Sequence, residues 1–296
     1  MSALRRVFGE GDQRLTLAAI AQYPRDFVDA IPEKIRRLLQ VYPQFRPTPA
    51  ILLIADSRWS WKIGEDYDDG GVKLVSLDSH VGAIYAGSVA AGENALAQLT
   101  AAFREARVAG THAYVEPERI LREVWRRHRH PNDVLQLCLG GFLGSAAEPV
   151  AFRFDSISQF RAQPIQGIEA IGWPDAIVYF LRRLAEDLGR ESAMDLTEKA
   201  LALTPDHWCT KLGLLLLETA ASEEANLRKT AGDSIQAAII TPSGMEGRSL
   251  SRISFQRDQP DVRQLTLSDQ EVTAFYKRHG RKPPHKLPLS RPGARA

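Results

Sequence analysis

Apolar residues along this chain alternate between short continuous runs and helically spaced stretches. Residues 14–22, RLTLAAIAQ, make one such run and predict a buried strand. Over 26–41, Phe27, Val28, Ile31, Ile35, Leu38 and Leu39 recur at helical spacing with charges between them, which predicts a helix. The proline-rich YPQFRPTP ends that pattern before a strand over 50–54. Strands over 73–77 and 81–86 follow, joined by a turn at Asp78-Ser79, and then an alanine-rich amphipathic helix over 88–108. A second helix, 117–129, carries a strongly basic face.

The pattern then returns to strands at 134–142 and 149–155, divided by small residues at Gly144-Ser145, with weaker strand signals at 160–165 and 168–171. Helices over 174–188 and 196–221 come next, the second interrupted by Pro205, and a strand over 234–241 closes the regular part. Strands gathered in blocks and separated by helix pairs predict an α+β protein of layered sheets, because a doubly wound sheet would alternate strand and helix one by one. From 244 the chain turns polar and arginine-rich, and from 278 it is rich in proline and basic residues, which predicts a flexible C-terminal extension over 244–296.

Charge and composition remove several classes of function. A formal net charge of +2 gives no whole-molecule attraction to nucleic acid or to a membrane. The longest apolar stretch, LGLLLL at 212–217, is far short of a membrane span, and Arg5 and Arg6 near the start are not followed by the apolar segment of a secretion signal. Cys138 and Cys209 both stand in apolar surroundings and read as reduced core residues, so the expectation is a cytoplasmic protein. His128 and His130 have no companions at ligand spacing, and Gly70-Gly71 and Gly140-Gly141 lack the spacing of a phosphate-binding loop; no metal and no cofactor is expected. The basic runs RRHR and RHGRKPPHK lack interleaved aromatics, so no nucleic-acid partner is expected, and Trp59 and Trp61 read as packing residues.

The stretch from Ala50 to Gly87 carries the chemistry. Its apolar strand runs into Asp56-Ser57-Arg58, the next strand opens with Lys73, and the partner of that strand ends in Ala86-Gly87. Unpaired charge on a buried strand is costly, so such charges either satisfy each other or are used. This arrangement resembles the proteasome β-type subunits and their bacterial relatives, the N-terminal-nucleophile (Ntn) hydrolases, and the likeness extends over roughly 16–243. Leu137 to Phe142 (LCLGGF), PVAFRFD at 149–155 and IEAIG at 168–172 look like the family's later strands, in the family's order.

The resemblance implies a four-layer α-β-β-α sandwich and a threonine hydrolase. In such a site Thr16 is the nucleophile, freed by removal of residues 1–15, and its own α-amine, titrating near ~8, accepts the hydroxyl proton. Asp56 and Lys73 are the polarising pair, Arg58 belongs to the surrounding charge network, and the Gly87 N–H is the oxyanion donor. Peptides or other amides are the implied substrates and a homo-oligomer the implied assembly, since the family's helical layers commonly meet in rings or dimers. A non-catalytic scaffold of the same fold is the alternative, and an amidohydrolase acting on small molecules a third reading. The chain departs from the family pattern in three places. Thr16 is internal and follows Leu15 where family precursors carry Gly or Met; 23–48 is an insertion; and Trp173 follows Gly172 where the family has Ser, while RKTAGD at 228–233 does not reproduce the family's Asp and Ser.

Overall fold

Strands β1 (Leu17–Tyr23) and β2 (Ala50–Asp56) are buried at every position, as continuous apolar runs require when both faces of a sheet are covered. The structure is a computed structural model that describes residues 17–30, 37, 48–56, 59–60, 67–68, 72–108, 115–129, 133–143, 148–191, 204–221 and 234–251. β1 runs through Tyr23, whose ring lies in the core, so the strand extends to the first residue of the insertion read from the sequence. Beyond it a six-residue 3₁₀ helix, Arg25–Ala30, is what is described of the helix expected over 26–41; the rest of that segment, apart from Arg37, lies outside the described residues.

The remaining strands are β3 (Trp59–Ser60), β4 (Tyr67–Asp68), β5 (Leu74–Ser76), β6 (Val81–Gly87), β7 (Leu135–Gly141), β8 (Val150–Asp155), β9 (Gln163–Pro164), β10 (Glu169–Gly172), β11 (Ser234–Thr241) and β12 (Gly244–Ser251). Helices α1 (Val89–Val108) and α2 (Pro117–His128) separate β6 from β7, and α3 (Pro174–Glu191) and α4 (Pro205–Ala221) separate β10 from β11. α4 begins at Pro205, where a fixed φ suits a first helical turn. The described residues therefore form an α+β protein with two five-stranded antiparallel sheets and four α-helices. One sheet has the order β10-β1-β2-β11-β12 and the other β5-β6-β7-β8-β9, with β3 and β4 pairing apart. β12 lies in the stretch read as polar extension, and it pairs with β11 over eight positions from Ser234↔Ser251 to Thr241↔Gly244.

Apolar side chains collect in three cores, and the alternation along each strand decides which core a residue enters. Leu17, Ala19, Ala21, Leu52 and Ile54 join α3 and α4 through Phe180, Trp208 and Leu212. Tyr85, Leu137 and Leu139 of the second sheet join α1 and α2 through Leu99, Phe103 and Leu121. Ala18, Ile20, Ile51 and Leu53 of the first sheet meet Ile84, Ala86 and Cys138 of the second in the core between them. Gly140 belongs to this last contact: a Cβ there would stand 2.8 Å from Ile20 Cδ1 and 2.9 Å from Ile51 Cγ2, so the glycine lets the two sheets close. Among the described residues, no helix is long and apolar enough to cross a membrane.

Candidate functional site

Strand registers bring Asp56, Lys73 and Gly87 to one end of the two sheets. In the first sheet Leu17, at the described start of β1, pairs with Gly172 at the end of β10, and Asp56, at the end of β2, faces Ile235 near the start of β11. In the second sheet Gly87, at the end of β6, faces Leu135 at the start of β7. Lys73 stands one residue before β5 rather than within it, and its carbonyl accepts from Tyr85 N–H at 3.2 Å. Gly87 is two residues beyond Tyr85, about 7 Å along an extended strand, so Lys73 and Gly87 share that end of the sheet.

Asp56 and Lys73 are both fully buried, at 0 % exposure, and they form an ion pair between Lys73 Nζ and Asp56 Oδ1. The other carboxylate oxygen, Oδ2, accepts the backbone N–H of Leu17 at 2.7 Å. One carboxylate thus joins β2 to β1 within its own sheet and to Lys73 of the other. Full burial keeps water from screening the pair, which makes the attraction strong and the desolvation of both ions costly. Thr16, covalently attached to the Leu17 nitrogen, and Arg58 lie outside the described residues, as do residues 228–233.

Two glutamines that the sequence reading did not select tie the same end together. Gln236 of β11 accepts through Oε1 from Lys73 N–H at 2.9 Å and from Leu74 N–H at 3.2 Å. Gln136 of β7, 7 % exposed, accepts through Oε1 from Gly172 N–H at 2.8 Å, so this bond runs from the second sheet to the first. The legible signal was a lone polar residue inside an apolar strand, LQLCLGG and SIQAAIIT, since a buried polar group needs a partner.

Gly87 has φ +106°, in the region that favours glycine, and a Cβ there would lie 2.0 Å from Val134 O. The next residue, Ser88, donates its N–H to that same carbonyl at 2.8 Å, and α1 begins one residue later. The corner therefore combines a backbone turn that only glycine fits with the positive end of a helix dipole. A second polar group lies nearer the middle of the sheets, where Arg153 Nη1 on β8 pairs with Glu169 Oε1 on β10 at 2.5 Å. Cys138, fully buried, faces it: burial first, and then the negative charge of Glu169, push its thiol well up from the ordinary range, with Arg153 opposing. Among the described residues, no group of three or more His, Cys, Asp and Glu side chains is placed to hold a metal ion.

Chemically, a buried cation set by a carboxylate, beside the backbone of β1 and near a glycine corner at a helix N-terminus, suits the stabilisation of an anion formed between them. No protein-family model matches the chain, and no curated protein matches it at a significant level.

Proposed function

We propose that this chain is an Ntn-hydrolase-like protein of the proteasome β type. The reading takes it as a four-layer α-β-β-α sandwich that cleaves peptide or other amide bonds with Thr16 after cleavage between Leu15 and Thr16. The observation that carries the reading is the buried Asp56–Lys73 pair, whose carboxylate also receives the Leu17 amide. A buried ion pair gives little stability over an apolar pair of the same size, so a use for the charge explains its presence better than folding does. Thr16 is bonded to the nitrogen that touches Asp56, one peptide unit from the pair. Three cores, two between a helix pair and a sheet and one between the sheets, support the layered fold.

In this reading the Thr16 hydroxyl attacks the substrate carbonyl and its proton passes to the Thr16 α-amine. The Lys73 charge favours the developing alkoxide, and the Gly87 N–H, with the start of α1, receives the oxyanion. Collapse of the tetrahedral intermediate breaks the C–N bond, the leaving amine takes the proton, and an ester on Thr16 remains. Water then attacks the ester, giving one proton to the amine and restoring the hydroxyl as the acid leaves. A homo-oligomer is part of the same proposal.

A second reading, a non-catalytic scaffold of this fold, is favoured by Trp173, which stands after Gly172 where the family has Ser. Intact mass separates the two. A species beginning at Thr16, absent in Thr16→Ala, is expected of the hydrolase. A persistent full-length chain that also resists a hydroxyl-directed electrophile removes the hydrolase reading and leaves the scaffold.

A further inference from the structure

We propose that Gln236 positions Lys73 for this reaction, an inference that rests on the hydrolase reading of the site. Among the described residues β5 is an edge strand, with β6 as its neighbour in the sheet and no described strand on its outer side to receive its amides. The Lys73 carbonyl points to β6, where it accepts from Tyr85, while the N–H groups of Lys73 and Leu74 both end on the single oxygen of Gln236. A carbonyl oxygen has two lone pairs and accommodates both donors.

The origin of that oxygen makes the arrangement specific. β11 pairs with β2 so that Ile235 faces Asp56 and Gln236 faces Ala55. The residues that hold the two ends of Lys73 therefore come from adjacent strands at adjacent positions: Gln236 grips the backbone and Asp56 the ammonium. A lysine side chain has four rotatable bonds, and an ion pair alone allows the ammonium to shift as the backbone moves. With both ends held from one ladder, the position of Nζ is set relative to β2, which through Leu17 also sets the start of β1. Edge-strand completion by Gln236 and ammonium placement by Asp56 thus act on one residue from one strand pair.

The test follows acylation of the protein by a β-lactone, read by intact mass across pH, in the wild type, Gln236→Met, Gln236→Glu and Thr16→Ala. Gln236→Met keeps the side-chain length and removes the acceptor. It is expected to slow acylation by on the order of 100-fold, the cost of misplacing a reacting group by about an ångström. The midpoint of the pH profile should also move upward, because a cation no longer held near the Thr16 amine ceases to depress its pKa. Gln236→Glu, which keeps acceptor oxygens, should recover most of the rate. A Gln236→Met protein with the wild-type rate and midpoint, or with a lowered melting temperature and an unmoved midpoint, overturns the inference and leaves a purely structural glutamine. If Gln236→Met does not fold, Gln236→Asn, whose oxygen is withdrawn by one methylene, is read by the same two criteria. Acylation that Thr16→Ala abolishes and Gln236→Met leaves unchanged overturns this inference alone, whereas no acylation of the wild type overturns the hydrolase reading and the inference with it.

Discussion

Leu17 donates its backbone N–H to Asp56 Oδ2 at 2.7 Å, and the opposite oxygen of that carboxylate holds the Lys73 ammonium. The described start of β1 is thereby fastened to a buried charge pair, and disturbing either ion should be felt in that strand.

Lys73→Met removes the cation and leaves the Asp56 carboxylate buried. Breaking a buried pair from one side costs about 3–5 kcal/mol, which urea denaturation will register as a lowered midpoint. The double substitution Asp56→Leu with Lys73→Met removes both desolvation costs and should be more stable than Lys73→Met alone. A Lys73→Met loss under ~1 kcal/mol, the range of exposed pairs, would mean that water reaches the site.

Gly87→Ala forces a residue with a Cβ to φ +106° and drives that atom toward Val134 O, 2.0 Å away, against backbone with no flexible end to yield. The strain alone is worth about 1–3 kcal/mol, so the melting temperature should drop and a substrate-site electrophile should react more slowly. An alanine variant that melts with the wild type contradicts the required left-handed corner.

Gln136→Met deletes the acceptor for Gly172 N–H in the partly buried end of the two sheets. A donor left without its partner costs about 1–3 kcal/mol. Amide exchange at Gly172, which pairs with Leu17 in the first sheet, should speed up more than exchange in β8; the same protection of Gly172 in Gln136→Met as in the wild type would refute the bridge.

Cys138 and Cys209 are the chain's two cysteines and both are buried. A chromogenic disulfide reagent at mild alkaline pH should find no thiol in the native protein and two per chain in denaturant. The folded-state pKa of Cys138 lies above its unfolded value, and burial raises that of Tyr23 likewise. For acids that lose charge-neutrality on ionising, a raised folded pKa means the unfolded chain releases protons first. The stabilisation is therefore fully present below the ordinary thiol range and declines as pH rises through it and then through the ordinary phenol range. Denaturation midpoints that stay flat over that alkaline window would contradict the burial.

Periodicity made most elements legible. β1, β2, β6, β7 and β8 are short apolar runs, and α1, α2 and α3 show apolar residues at helical spacing, so their existence follows from one-dimensional pattern. β12 did not show itself, because GMEGRSLS has no strand-like apolar pattern and its place is secured by the backbone ladder to β11. The three residues of β5 are half-buried or exposed, with Lys73 just before them and Leu77 just after, so the strand expected over 73–77 is present but one residue shorter at each end.

At the site, residue chemistry and strand ends identified Asp56, Lys73 and Gly87 as candidates, since charge on an apolar run and glycine after a strand are visible without coordinates. The sequence could not state that Lys73 reaches Asp56, because the two come from different sheets and meet only when the sheets face each other. Nor could it assign the partners of Gln136 and Gln236, whose acceptor oxygens serve amides 36 and 163 positions away. Local pattern determines which segments are strands and which of their faces are apolar, because those depend on neighbours one to four residues apart. Which buried polar groups find each other depends on register and on the packing of one sheet upon another, and the tertiary structure alone decided that.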